Sequence, residues 1–122
     1  MRTFAPSRTR TDAVTNLYDS ACDLLFAAQQ IREAAARPGA APAIAATIGC
    51  LDASLEALVH AIGEMSRTAV RELEASGQDL SVTADAIERE FDALADVVTA
   101  AHTACDEMRE RIGPLMAQLT LT

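Results

Sequence analysis

The stretch LSVTADAIEREFDALADVVTAAHTACDEMRERIGPLMAQL, residues Leu80–Leu119, decides the fold. Taken in alternating steps of three and four it gives Leu80, Ala84, Ile87, Phe91, Leu94, Val98, Ala101, Cys105, Met108, Ile112, Leu115 and Leu119. That is an apolar seam of helical period, sustained long enough to require packing along its length against other helices. Asp79 or Ser81 suits the cap of this helix, and Asp85 lies in its first turn. Gly113-Pro114 predicts a kink or a restart near residue 113, because proline lacks the N–H that a helix interior needs.

Upstream, a second seam runs Ile44, Ile48, Leu51, Leu55, Leu58, Ile62, Met65, Ala69 and Leu73. Pro42 fits its first turn and Ser76-Gly77 its end. Gly49 and Gly63 interrupt it, as glycines do where helices approach closely. A third seam, Val14, Leu17, Ala21, Leu24, Ala28, Ile31 and Ala35, ends at Arg37-Pro38-Gly39. The expected architecture is all-α: an elongated antiparallel three-helix bundle with helices over about 11–37, 42–75 and 80–112. Residues 1–10 read as a flexible basic arm, 11–119 as one domain and 120–122 as a frayed tail.

Composition agrees. Half of the 122 residues are apolar, aromatic residues are 3%, and glycine and proline number five and four. All basic residues are arginine, and alanine is abundant, the usage of a GC-rich bacterial genome. The net charge is −8, yet Arg2, Arg8 and Arg10 make the first ten residues basic. The acidic body repels phosphate backbones, which argues against nucleic-acid binding there. No uninterrupted apolar run approaches the ~18 residues of a membrane span, and no signal-peptide core follows Met1. Cys22, Cys50 and Cys105 are odd in number and lack metal spacing, so reduced thiols in a cytoplasm are expected.

Side chains that could carry chemistry are few. His60 lies four residues from both Glu56 and Glu64, nearly opposite its seam, the pattern of a solvated polar stripe. His102 flanks the third seam, with Asp106 four residues on and Thr99 three before as its expected partners. The seams hold no carboxylate, which excludes a di-iron bundle site. In a hairpin turning near residue 78, Cys50 and Cys105 come nearly level, a possible thiol pair, with packed free thiols the simpler arrangement. No phosphate loop, nucleophile elbow or paired-cysteine zinc motif occurs. No cofactor or metal is expected.

The first helix carries a second apolar stripe, Tyr18, Cys22, Leu25 and Phe26, beside and behind its seam. A helix apolar on two sides is buried on two sides. The stripe therefore predicts a partner, most simply a second copy, with another protein engaged besides. The function expected is a non-enzymatic, homodimeric helical interaction module. A small protein exported without a signal peptide by a specialised bacterial secretion system is the first alternative. A ligand sensor or enzyme with a pocket at the dimer interface, using His102, Cys22 or Tyr18, is the second.

Overall fold

The computed structural model describes the backbone of residues 5–121 and the side chains of residues 12–118. The chain is 91% helical, with three long helices and no strand among the described residues. These are α1 (Ala5–Ala35), α2 (Ile44–Ala75) and α3 (Ser81–Leu121), with a short 3-10 turn at Ala41–Ala43. Where one domain over 11–119 was expected, the packing divides into two units, Met1–Ala41 and Pro42–Thr122.

α1 begins six residues before the expected start, so half of the segment read as a flexible arm is helical. Pro6 stands in its first turn, where no helical partner for a backbone N–H is required. Met1–Phe4 and the side chains of Arg8 and Arg10 lie outside the described residues. The helix stops at Ala35; backbone bonds from Ala36 to Glu33 and from Arg37 to Ala34 close its last turn. Gly39 follows at φ 87°, a conformation open to glycine at no steric cost. Every side chain from Asp12 to Ala35 is exposed.

In the second unit α2 and α3 form an antiparallel hairpin. Gly77 at φ 77° ends α2, and the Ser76 hydroxyl donates to the Leu73 carbonyl at 2.6 Å. Asp79 caps α3 as expected: its Oδ1 accepts from the Ser81 N–H at 3.5 Å and the Ser81 hydroxyl at 3.1 Å. α3 then continues unbroken through Pro114 to Leu121, with no restart. Pro114 has no N–H to give to the ladder, and the helical residues continue on both sides of it.

The hairpin core is small. Among the described residues only Ile48, Asp52, Ile62 and Ala84 are buried. The contact face of α3 follows the predicted seam over Leu80, Ala84, Ile87 and Phe91 and keeps its Val98, Cys105 and Ile112, but at alternate steps beyond Phe91 it takes the neighbouring residue instead. Ala95, His102 and Met116 are half-buried, while Leu94, Ala101 and Leu115 are exposed. On α2 the same step buries Asp52 and leaves Leu51 exposed. A pair of helices contacts along a narrow stripe, so a helix apolar over a wide arc offers more than one stripe for that contact.

The glycines do not mark close helix approach. A Cβ at Gly49 would meet only the Arg109 side chain, at 3.8 Å, and one at Gly63 only the guanidinium of Arg67, at 3.5 Å. Both are ordinary contacts. Gly49→Ala and Gly63→Ala are each expected to stabilise the hairpin by about 0.5–1 kcal/mol through helix propensity. A urea midpoint that stays level or falls in either variant would contradict this.

Within Ala41–Ala75 an 18-residue stretch reaches a mean hydropathy of 1.4, so by length and composition this helix is apolar enough to cross a membrane. Asp52 and Glu56 interrupt its apolar run.

Candidate functional site

The most distinctive chemistry lies at the middle of α2. Asp52 follows Ile48 by one helical turn and is turned onto α3, where it is 6% exposed. On α3, His102 and Arg109 stand two turns apart on one face, and Asp52 lies against both. Asp52 Oδ1 is 2.8 Å from His102 Nδ1, and Oδ2 is 3.5 Å from Arg109 Nη1. Arg109 also reaches Asp106, its Nη2 lying 4.0 Å from Oδ1. The Arg109 side chain passes beside Gly49, one turn before Asp52, with space there for a Cβ as well.

Burying a carboxylate costs several kcal/mol unless it is paired and hydrogen-bonded. Here His102 and Arg109 of α3 offset that cost unequally. The imidazole contact is short, but Asp52 Oδ1 and His102 Nδ1 are both sealed from water without an aligned hydrogen bond. The distance makes this a close polar contact, and the poor alignment withholds part of its strength. Arg109 is half exposed and sits at longer range, so water screens its share.

An aspartate beside an imidazole nitrogen can hold the ring in one tautomer, as it does in acid–base catalysis. That chemistry needs a nucleophile or a substrate cleft beside the ring. Cys105, one turn beyond His102, donates its thiol to the Ile48 carbonyl at 3.7 Å and not to the imidazole. Among the described residues no group of three side chains could hold a metal ion. What the geometry supplies is a polar clasp between two helices, fixed at one register.

The other candidate residues stay apart. Glu56, His60 and Glu64 lie exposed along α2 as expected, and Glu64 pairs with Arg67 at 2.7 Å. Cys22 and Cys50 are exposed free thiols and Cys105 is a half-buried one; Cys105 meets Ile48, not Cys50. His102 takes Asp52, not Asp106 or Thr99, as its partner. The exclusion of carboxylates from the helix contacts thus fails at Asp52. One signal could have found it: the register that brings Cys50 near Cys105 also brings Asp52 within a turn of His102.

A groove of about 320 Å³ lies at the hairpin turn, with Leu73, Leu80 and Ala84 on its floor and Asp79, Asp85 and Glu88 at its rim. It is some 30 Å along α2 from Asp52 at 1.5 Å per residue, too far to share chemistry with the clasp. On α1 the predicted stripe is open to solvent: Tyr18 is 69% exposed, Leu25 and Phe26 are each 61% exposed, and Cys22 is exposed as well. Compared with protein-family models, curated proteins and solved structures, the chain matches none.

Proposed function

We propose that this chain is a non-enzymatic helical interaction module that works as a homodimer and engages another protein. The observation that carries the reading is α1. Val14, Leu17, Tyr18, Leu24, Leu25 and Phe26 all stand exposed on one helix. Contiguous apolar patches of that extent mark interaction surfaces. At about 100–150 Å² for each side chain they present on the order of 700 Å² per copy over roughly 200° of the helix, against the ~800 Å² per partner of a specific interface, so Leu17 and Leu24 add a second side to the face around Tyr18 and Phe26. The hairpin adds exposed Leu94, Val97 and Leu115, a further face for a partner other than the copy on α1. The Asp52–His102 contact enters this reading as a structural clasp that keeps the hairpin in register, and no reacting group is needed.

The test is sedimentation velocity across the micromolar range. The native chain is expected to run at twice its 12.9 kDa mass. Leu25→Glu combined with Phe26→Glu is expected to weaken the dimer about 100-fold or more, since buried aromatic and aliphatic anchors dominate interface energies. A native chain that stays monomeric at high micromolar concentration overturns the proposal.

A further inference from the structure

We infer that two copies pair their α1 helices antiparallel, about a two-fold axis that passes beside Cys22. This register rests on the homodimer proposed above and specifies it further. Around Cys22, helical neighbours on the same face recur at four and seven residues in either direction. Those positions are Thr15 and Tyr18 before it and Phe26 and Gln29 after it, all exposed. A two-fold axis perpendicular to a helix pair sets each residue n places before the centre opposite the partner's residue n places after it. Tyr18 therefore meets the partner's Phe26 and Phe26 the partner's Tyr18, each an aromatic pair, with Leu25 packed beside them. Thr15 meets the partner's Gln29, two side chains that can hydrogen-bond at the edges of the apolar centre. In a parallel pair the same face sets Tyr18 on Tyr18, Phe26 on Phe26, Thr15 on Thr15 and Gln29 on Gln29, so the two arrangements differ in which residues meet.

Charge favours a second copy as the occupant. The chain carries −8 overall, so two copies repel unless they meet over an uncharged surface. Thr15, Tyr18, Cys22, Leu25, Phe26 and Gln29 carry no charge. Asp19 and Asp12 lie about 60° and 80° around the helix from Cys22 and Asp23 about 100°, on the flank of the stripe and not on its line. A strongly basic partner would find nothing to pair with on this face. The area supports a copy too, because a self-complementary stripe buries the same side chains twice.

Helices packed at 8–10 Å bring facing Cα atoms at the axis to about 4–6 Å, within the span a disulfide bridges. The test uses full-length protein carrying Cys50→Ser and Cys105→Ala, with Cys22 intact. Diamide takes two electrons and two protons from two Cys22 thiols, which join in one S–S bond. Most of the chain is expected to become covalent dimer within minutes, and none of it when Cys22→Ser is added. Orientation is read in the Cys22→Ser background. A mixture of Thr15→Cys and Gln29→Cys proteins is expected to cross-link to each other at least tenfold faster than either does to itself. Circular dichroism checks that each variant keeps its helix, which exposed positions should allow.

Self-cross-linking of the Thr15→Cys protein without reaction toward Gln29→Cys would show a parallel pair and overturn the inference. A dimer by sedimentation that cross-links at none of these positions overturns the register and leaves the homodimer standing. A monomer by sedimentation overturns both.

Discussion

His102→Ala is expected to destabilise the hairpin by about 2–3 kcal/mol, a larger loss than removing the charge it faces. The substitution leaves Asp52 buried, with Oδ1 sealed from water and only Arg109 at 3.5 Å for compensation. Breaking a buried ion pair from one side costs ~3–5 kcal/mol in general. The value here is set lower because His102 is 29% exposed, so a truncated side chain admits water toward the carboxylate. Asp52→Leu acts in the opposite sense. It removes the carboxylate that is costly to bury and puts an apolar side chain next to Ile48, against which stands the loss of the one close polar neighbour of the sealed His102 Nδ1. Its stability is expected within about 1 kcal/mol of the native chain, on either side. Urea unfolding followed by far-UV circular dichroism measures both. If His102→Ala unfolds at the native midpoint, or Asp52→Leu proves the worse of the two, the clasp does not work as described.

Ile62→Ala should cost about as much, for an unrelated reason. Ile62 is 5% exposed and one of three apolar side chains buried among the described residues. Truncating a buried isoleucine to alanine costs ~2–5 kcal/mol, from lost transfer energy and from the cavity left behind. The lower half of that range applies, since a two-helix contact can collapse onto a small void more readily than an enclosed core. With a urea m-value of about 1 kcal/mol/M the midpoint should fall by roughly 2–3 M. Leu115→Ala, on an exposed side chain of α3, is expected to move it by less than about 0.5 M. Equal shifts in the two variants would mean that α3 buries a different face in solution.

The helical class and the positions of the turns were legible in the sequence because they rest on strong local signals. Leu80–Leu119 cannot be read at strand period, and Ser76-Gly77 and Asp79 stop and start helices by backbone geometry and capping. The face each helix buries was less legible. Leu94 and Ala95, or Leu51 and Asp52, are adjacent positions about 100° apart, and an eye for apolar side chains chooses the first of each pair. The structure takes the second, since Asp52 can meet His102 and Arg109 there. Selecting residues for hydropathy alone is blind to polar groups that compensate one another across two helices. The start of α1 lies earlier than expected because a terminal basic segment reads as an arm by position and composition, whereas Pro6 is compatible with a first helical turn. The stripe on α1, in contrast, was visible at once, since nothing in the local sequence competes with Tyr18, Leu25 and Phe26.

The exposure of every described side chain of α1 has a consequence in time. With every side chain from Asp12 to Ala35 exposed, α1 of an unpaired copy is held mainly by backbone propensity, and such a helix exchanges with coil in about 0.1–1 μs. Protein encounters at micromolar concentration, with association rate constants of about 10⁵–10⁷ M⁻¹s⁻¹, take roughly 0.1–10 s. An arriving partner therefore samples α1 only as an average over many openings. Its measured affinity is the intrinsic one multiplied by the fraction of time the helix is formed, so temperature and helix-promoting solvents become controls on association that act far from the contact itself.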